Sequence, residues 1–398
     1  MKNILKNKNL KYIFIMIIFL SISLGLWNNF RLLWLEENLL TAEEIGKIMS
    51  LSSFFGCIAI LFISLKVDMN RIKEMVSWTL IIKILSQIIL FLGHQSLPTK
   101  AIATLFIFDI ASYSVGFLGI YPLITRVEKN EDIYSYRKLA QYIFQDVGIL
   151  VGGLLLGVSI GKFVFSYNNF LLISILSLVI ALIFLNRVKF DQTEHLKQIH
   201  FYDFFQVIKK DRIQIFYFLY GIIGNTSYYC ALGMQMLILT NLVDYSAKGA
   251  TFFFLVMGII ADIFGVIALK KLTPKNDYLT IFCKLGFRLI GYTVVFLFPC
   301  KQFILMAMIT ALFTSTAYEN RTDGVYFNQL DTDYQLVASN VRNLVNKLGE
   351  TIGYFLAGIL FPFGASPIFG VAAFTVFIQI GIGWYLVYLR LSHSKKQA

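Results

Sequence analysis

Long apolar runs alternate with short polar segments along almost the whole chain. Each run is about twenty residues long, which is what an α-helix needs to cross the hydrocarbon core of a bilayer. The runs are continuous, whereas strands of a membrane β-barrel would alternate apolar and polar residues. The pattern predicts twelve membrane-spanning helices, at roughly 12–35, 43–66, 75–93, 100–125, 138–161, 168–187, 211–241, 247–270, 278–298, 302–328, 336–361 and 366–390.

Composition supports a protein that faces lipid. Hydrophobic residues make up 57% of the 398 residues and charged residues only 15%, whereas a soluble domain has about 25% charged residues. A water-facing fold could not bury this much apolar surface. We therefore exclude a soluble enzyme, a disordered protein and a nucleic-acid binder, and expect an all-α integral membrane protein surrounded by the lipid bilayer.

The formal net charge of +12 is explained by where the basic residues lie. If the N-terminus is cytoplasmic, the inner segments hold 23 Lys and Arg and the outer loops hold 5. Cytoplasmic loops of membrane proteins carry such an excess of basic residues. The charge therefore predicts that both termini are cytoplasmic and does not indicate nucleic acid. The short loops, without large outer insertions, favour a bacterial plasma membrane.

No residue pattern indicates a cofactor or a metal. The four cysteines lie in or beside apolar runs without CxxC spacing, and the four histidines lie in loops or the tail. The chain lacks the GxxxxGK[ST] motif that cradles nucleotide phosphates. We therefore expect neither a bound cofactor nor direct use of ATP.

The longest inner loop separates six runs from six. This predicts an N-terminal six-helix bundle at 1–187, a cytoplasmic linker with an interfacial helix at 188–210, and a C-terminal six-helix bundle at 211–398. Glycines repeat between the halves with a shift of 201, and small residues at this spacing let helices approach closely. The repeated glycines are Gly148, Gly152 and Gly157 in span 5, and Gly349, Gly353 and Gly358 in span 11.

With these features, the chain resembles the major facilitator superfamily along nearly its whole length. The loop at 64–73 is similar to the GxLaDrxGRR signature of that superfamily, with Asp68 and Lys73 in register. Gly148 to Gly153 resembles the GPxxGG element of drug–proton antiporters, without its proline. The resemblance implies two pseudo-symmetric six-helix bundles, a central substrate cavity, alternating access and a monomer.

The resemblance also implies roles for particular residues. The first helix of each bundle lines the cavity in this superfamily, and the basic loop after span 2 forms part of a gate with the inner end of span 11. The substrate contacts implied in this way are Asn28, Arg31, Asn225 and Tyr228. The implied gate residues are Asp68, Lys73, Arg342, Glu128 and Arg137.

Span 11 carries a polar stripe that includes Asn346, Lys347 and Glu350. A charge at the bilayer centre costs about 2.5–3.5 kcal/mol or more, so such residues need a partner, water or a function. The stripe is either a wall of a water-filled cavity or a buried face with an internal Lys347–Glu350 pair. Span 5 carries Gln141 and Gln145 as a matching stripe.

A shift of 201 places Asp146 of span 5 on Lys347 of span 11. These opposite charges either form a latch between the bundles or pair within their own halves. Four carboxylates within the apolar spans are candidates for proton coupling: Asp109, Asp146, Glu319 and Glu350. Asp109 is either a proton or substrate site, or the partner of a charge on another helix. Glu319 is either a proton carrier or a solvated group near the inner surface.

Lys83, Lys284 and Arg288 also lie inside apolar runs. We expect Lys83 and Lys284 to extend to the membrane surface, because their spans are peripheral in this superfamily. The pattern gives no role for Arg288.

These features predict a secondary active transporter that moves a small molecule by alternating access, through proton-coupled efflux of amphipathic compounds. Uptake or facilitated diffusion of a small polar nutrient, or flipping of a lipid or lipid conjugate, is the alternative. A membrane-embedded enzyme would need a clustered catalytic set such as HExxH, which this sequence does not contain.

Overall fold

The structure, a computed structural model, describes residues 7–38, 40–66, 71–93, 96–127, 131–160, 163–189, 212–271, 277–327 and 332–397. It describes the backbone alone at 63–66, 117–118, 121–122, 125–126, 131–139, 160, 163, 212, 262, 264–271, 277–282, 284, 315–327, 332–340 and 390–397. Within these ranges there are twelve long helices: α1 Lys8–Glu37, α2 Ala42–Lys66, α3 Ile72–Leu92, α4 Thr99–Val127, α5 Glu131–Leu155, α6 Tyr167–Asn186, α7 Arg212–Leu232, α8 Ala247–Lys271, α9 Asp277–Leu297, α10 Lys301–Phe327, α11 Thr332–Leu360 and α12 Ala365–Gln397.

The twelve predicted helices are confirmed, and their ends lie within a few residues of the predicted ends except at α5, at α7 and at the C-terminal end of α12, which extends seven residues further. Helix α5 begins and ends earlier than predicted, and Gly157 follows it with a φ of +73°, a conformation that favours glycine. Two short antiparallel strands, β1 Ser159–Ile160 and β2 Phe163–Val164, then precede α6. Helix α7 is extended by a short turn at Gln235–Leu237 and a π-helical segment at Ile238–Leu242.

Large apolar side chains cover the outside of the helices, as expected for a chain in lipid. Leu92, Phe363, Trp78 and Phe374 are each more than 60% exposed. In the part of the chain that the structure describes, six helices are long and apolar enough to cross a membrane: α1, α2, α3, α6, α11 and α12. Shorter apolar segments lie in α5, α8, α9 and α10. The chain is a multi-pass integral membrane protein.

The helices form two compact units. Unit 1 comprises 1–41, 55–198 and 246–255, and unit 2 comprises 42–54, 199–245 and 256–398. The first part of α2 thus packs with unit 2, and the first part of α8 packs with unit 1. The predicted bundle boundaries at 187 and 211 stay a prediction, because the linker between them lies almost entirely outside the described residues.

The two units repeat the same helix packing. In unit 1, α1 packs on α5 and α6, and α3 packs on α4 and α6. In unit 2, the helices six places later make the same pairs: α7 packs on α11 and α12, and α9 packs on α10 and α12. The predicted pair of pseudo-symmetric six-helix bundles is therefore the observed fold.

Glycines hold the first and fifth helices of each unit in close contact. A Cβ at Gly148 of α5 would meet the backbone oxygen of Ile22 at 2.5 Å, and a Cβ at Gly349 of α11 would meet that of Ile222 at 2.5 Å. Only hydrogen at these positions lets the backbones approach. Gly157 and Gly358, the last matched pair, differ: Gly157 faces open space, whereas Gly358 packs on Gly46 of α2.

Candidate functional site

Asp109 of α4 is the centre of a buried polar cluster in unit 1. Its Oδ1 accepts hydrogen bonds from Lys83 Nζ at 2.7 Å and Gln87 Nε2 at 2.9 Å, both on α3. Its Oδ2 accepts one from Trp27 Nε1 of α1 at 3.0 Å. All four side chains are at most 2% exposed. The cluster therefore joins α1, α3 and α4 through one carboxylate whose charge is matched by Lys83.

The cluster continues to α6 through hydroxyl groups. Ser174 Oγ lies 3.0 Å from Gln87 Oε1 and 2.7 Å from Ser23 Oγ of α1, within hydrogen-bond distance of both. Four helices of unit 1 thus share one network. The expectation that Lys83 extends to the membrane surface is wrong, because Lys83 is buried against Asp109, whose opposite charge offsets part of the cost of burying the lysine. The sequence allowed Asp109 to be a proton or substrate site, or the partner of a charge on another helix. The structure shows such a partner, Lys83 of α3.

The other predicted substrate contacts of unit 1 lie on α1 and α5. Arg31 is 9% exposed, and its Nη1 donates a hydrogen bond to Asn28 Oδ1 one turn earlier at 3.1 Å. Gln141, Gln145 and Asp146 are partly buried on α5. Gln145 lies where α5 crosses α1, since a Cβ at Gly25 would meet the Gln145 backbone oxygen at 2.0 Å. The structure brings Asn28 and Arg31 into direct contact.

In unit 2, Glu350 of α11 is a buried carboxylate held from two sides. Lys347 Nζ, one turn earlier, donates to its Oε2 at 2.6 Å. Ser53 Oγ, on the first part of α2, donates to its Oε1 at 2.8 Å. Glu350 is 5% exposed. The internal Lys347–Glu350 pair predicted as one interpretation of the α11 stripe is present.

The same part of α2 lies tightly against α11 at two further points. Ser50 Oγ donates to the backbone oxygen of Thr351 at 2.9 Å. A Cβ at Gly46 would meet the Cα of Gly358 at 2.4 Å, so the two backbones are in contact there. Since α2 and α11 belong to different halves of the sequence, this α2–α11 contact joins the halves within unit 2.

A polar pair links α7 to α11 in unit 2. Asn225 Nδ2 donates to Asn346 Oδ1 at 2.9 Å and to the backbone oxygen of Gly221 at 2.8 Å. Tyr228 lies one turn after Asn225, is partly buried, and has the guanidinium of Arg288 5.8 Å from its ring centre. Two predicted substrate contacts, Asn225 and Tyr228, therefore lie along neighbouring turns of α7 and α11 with Asn346 of the predicted cavity wall.

The predicted gate residues are described only in part. Lys73, at the start of α3, donates from Nζ to the backbone oxygens of Asn186 at 3.1 Å and Val188 at 2.6 Å. This lysine thus caps the C-terminal end of α6, where a cation is favourable. Arg342 is partly buried on α11. Asp68 and Glu128 lie outside the described residues, as do the side chains of Arg137 and Glu319.

Several polar residues of these clusters were absent from the sequence-based predictions. Gln87, Ser174 and Ser53 are uncharged and scattered among apolar residues, so no local pattern marks them. The Lys83–Asp109 pair, by contrast, is indicated by positions in the sequence. Lys83 lies nine residues before the end of α3 and Asp109 ten after the start of α4, which puts them at the same depth in an antiparallel helix pair.

Among the described residues, no group of three His, Cys, Asp or Glu side chains could hold a metal ion.

The whole chain is similar in structure to solved membrane transporters. A variant of the nucleoside transporter NupG matches with a TM-score of 0.71 at 11% identity, over 96% of this chain and 99% of that one. A D-xylose–proton symporter matches with a TM-score of 0.70 at 12% identity, over 96% and 97%. A POT family transporter in complex with a thioalcohol-conjugated peptide gives 0.67 at 12% identity, over 96% of each chain.

These likenesses show the fold. This chain has the same fold as these solved transporters. No protein-family model matches the sequence, and no curated protein matches it.

Proposed function

We propose that this protein is a secondary active transporter that moves a small molecule across a bacterial plasma membrane by alternating access, coupled to protons. The observation that carries the proposal is Glu350, a carboxylate buried in a membrane-spanning helix and held by both Lys347 and Ser53. Burying charge in a membrane is costly and is typical of ion and proton pathways. The fold, with both termini cytoplasmic as the basic loops predict, is one that supports alternating access.

Proton binding at Glu350 would change the α2–α11 contact directly. An ionised carboxylate only accepts hydrogen bonds, and protonation turns one oxygen into a donor. Protonated Glu350 would therefore lose the ion pair with Lys347, and the hydrogen bond from Ser53 would weaken because its acceptor is no longer charged. Because Ser53 is on α2, protonation would weaken one of the interactions that hold α2 on α11. This provides a route from proton binding to helix separation.

Asp109 is a weaker candidate for proton carriage. Its ion pair with Lys83 is almost fully buried, with side chains 2% and 0% exposed, whereas Lys347 beside Glu350 is 16% exposed and is therefore easier for a proton to reach. Asp146 and Glu319 remain candidates from the sequence. The proposed substrate contacts are the residues on α1, α5, α7 and α11 that the sequence indicated, with the Asn225–Asn346 pair as the best-defined part.

We propose that transport is directed outward and exports amphipathic compounds. The glycine element at Gly148–Gly153 and the many aromatic side chains support this direction. A second candidate is uptake of a small polar nutrient by a monomeric symporter. The hydrogen-bonded Asn225–Asn346 pair favours it, because amide groups suit a polar ligand, and one structure of the same fold is a D-xylose–proton symporter.

Reconstitution in liposomes tests the proposal. An imposed pH gradient should drive accumulation of a substrate from a panel of dyes, sugars and nucleosides by the wild-type protein. Glu350→Gln should abolish gradient-driven accumulation but keep exchange of labelled for unlabelled substrate, because exchange needs no net proton movement. Gradient-driven accumulation that survives Glu350→Gln would exclude this carboxylate as the proton carrier. The sign of the gradient that drives accumulation decides between export and uptake.

A further inference from the structure

Arg288 of α9 is a buried cation in unit 2 whose partners among the described side chains are neutral. It is 5% exposed. Its Nε donates to Thr314 Oγ1 at 2.8 Å and its Nη2 to the backbone oxygen of Ala311 at 3.3 Å, both on α10. Its guanidinium lies 5.8 Å from the ring centre of Tyr228 on α7. In the described parts of the chain, no carboxylate pairs with it.

A guanidinium cannot lose its proton in a protein, so Arg288 carries its charge at this position. Leaving such a charge unpaired inside a membrane-spanning unit is unfavourable, and neutral hydrogen-bond acceptors offset only part of the cost. The π face of Tyr228 adds a modest attraction. An anion at this point would therefore be strongly favoured.

Unit 1 shows how the same arrangement is completed by an internal anion. Lys83 lies 26 residues before Asp109, and Arg288 lies 26 residues before Thr314. In both units the cation is on the third helix of the six, its partner is on the fourth, and an aromatic residue of the first helix, Trp27 or Tyr228, contacts the pair. The 201-residue repeat matches Arg288 to Gln87, so the pair in unit 2 lies one turn later along the helices, and it has a neutral hydroxyl where unit 1 has a carboxylate.

A second group beside Arg288 also lacks an acceptor. Tyr292 follows one turn later on α9 and is fully buried, yet its hydroxyl makes no hydrogen bond to any residue that the structure describes. Buried hydroxyls without a partner are rare, so each one needs an explanation. Arg288 and this hydroxyl lie on successive turns of one helix face, so a single acceptor between them could bind both.

We propose that Arg288, Tyr292 and Tyr228 form a binding site for an oxyanion, and that the transported substrate is a small organic anion whose carboxylate or phosphate group occupies it. This inference rests on the proposed transport function and narrows its substrate class. The planar guanidinium matches the two oxygens of a carboxylate or phosphate, and Thr314 fixes its orientation through Nε. The two tyrosine rings suit an aromatic body on the ligand. Tyr228 is only partly buried and is where a ligand would first meet the cluster.

Binding measurements on the purified full-length protein in detergent test this site without requiring transport. Benzoate and phenyl phosphate are the anionic probes, and benzamide is the neutral probe of the same shape. Both anions should raise the Tm of the wild type saturably, and benzamide should not. Arg288→Gln should weaken the apparent affinity for either anion by about 10- to 100-fold, because a charge-assisted hydrogen bond is lost. The stronger of the two anion responses identifies the headgroup.

Two further variants separate binding from folding. Thr314→Asp supplies in unit 2 the internal counter-ion that Asp109 supplies in unit 1, so it should fold well and lose the anion response. Lys83→Gln removes a buried cation whose partner is internal, so it should lower Tm and leave the affinity for the anion unchanged. An equal response to benzoate in wild type, Arg288→Gln and Thr314→Asp would overturn the site, as would a wild type that responds to neither anion.

Failure of the site and failure of the transport proposal give different results. If the wild type and Arg288→Gln both accumulate neutral or cationic compounds under a pH gradient and neither binds benzoate, the protein is a transporter without this site. If benzoate binding depends on Arg288 but no probe moves in liposomes under any gradient, the site stands and the transport proposal fails.

Discussion

Lys83 and Asp109 form a fully buried ion pair that joins α3 to α4. Their Nζ and Oδ1 atoms are 2.7 Å apart, and the side chains are 2% and 0% exposed. Gln87 and Trp27 use the remaining hydrogen-bonding capacity of the carboxylate. A buried pair completed in this way needs no ligand, and we infer that it holds the helices of unit 1 together.

Removing one charge of this pair should lower the stability of the protein far more than removing both charges. Asp109→Leu leaves the Lys83 cation unpaired, and breaking a buried pair costs about 3–5 kcal/mol. Lys83→Leu combined with Asp109→Leu should recover a large part of that loss, because no uncompensated charge remains. Unfolding in a graded denaturing detergent measures both. A double variant as unstable as Asp109→Leu would show that the ion pair is not the source of the effect.

Transport by the same double variant separates a structural role of Asp109 from proton carriage. If Asp109 only holds α3 and α4 together, the double variant should still accumulate substrate under a pH gradient. Loss of gradient-driven accumulation with retained exchange would instead make Asp109 the proton site.

The close crossing of α1 and α5 should be intolerant of a single methyl group. In Gly25→Ala the new Cβ would lie 2.0 Å from the backbone oxygen of Gln145, so the helices must separate. We expect a loss of about 1–3 kcal/mol, the usual range for overpacking. Gly258→Ala is the matched control, because a Cβ there meets nothing within 4 Å. Equal Tm values for the two variants would contradict the observed crossing.

The α2–α11 contact should respond to a similar change. Gly46→Ala places a Cβ 2.4 Å from the Cα of Gly358 and should push the start of α2 away from α11. Spin labels at the exposed positions Lys47 and Phe363 would report a longer and broader distance distribution by pulsed electron resonance. Gly381→Ala, whose Cβ meets nothing within 4 Å, should leave the distribution unchanged. An unchanged distance in Gly46→Ala would show that this contact does not restrain α2.

The Asn225–Asn346 hydrogen bond can be assigned to stability or to substrate binding by a double-mutant cycle. Hydrogen bonds between membrane helices couple by about 0.6 kcal/mol on average and at most about 1.7. If the pair only joins α7 and α11, Asn225→Ala and Asn346→Ala should lower stability within that range and leave KM unchanged. If the amides contact substrate, KM should rise in each single variant beyond what the stability loss explains.

The repeat of six plus six helices could be predicted from the sequence because it depends on close contact between the backbones of neighbouring helices. Gly148 and Gly349 are spaced by 201 residues and each lets a fifth helix touch a first helix. Glycine is the residue that such an approach requires, so its positions carry the information. The last matched pair, Gly157 and Gly358, does not repeat the same contact. Gly157 adopts a left-handed turn at a helix end, whereas Gly358 lies in a contact between helices.

The polar clusters could be predicted from the sequence only in part, because they depend on which helices are neighbours. Lys83 alone looks like a lysine that extends to the membrane surface, and it becomes half of an ion pair only when α3 packs on α4. Ser53 carries no charge and gains its role from lying at the depth of Glu350 on α11. Arg288 had no role in the sequence pattern, and its neutral surroundings are a property of three helices brought together.

The most direct test of the central claim is to follow protons and substrate together. Liposomes holding the protein and an internal pH-sensitive dye would be exposed to a substrate found by the accumulation screen. We predict a substrate-dependent change of internal pH in the wild type and none in Glu350→Gln. Substrate movement by the wild type without any change of internal pH would contradict proton-coupled transport.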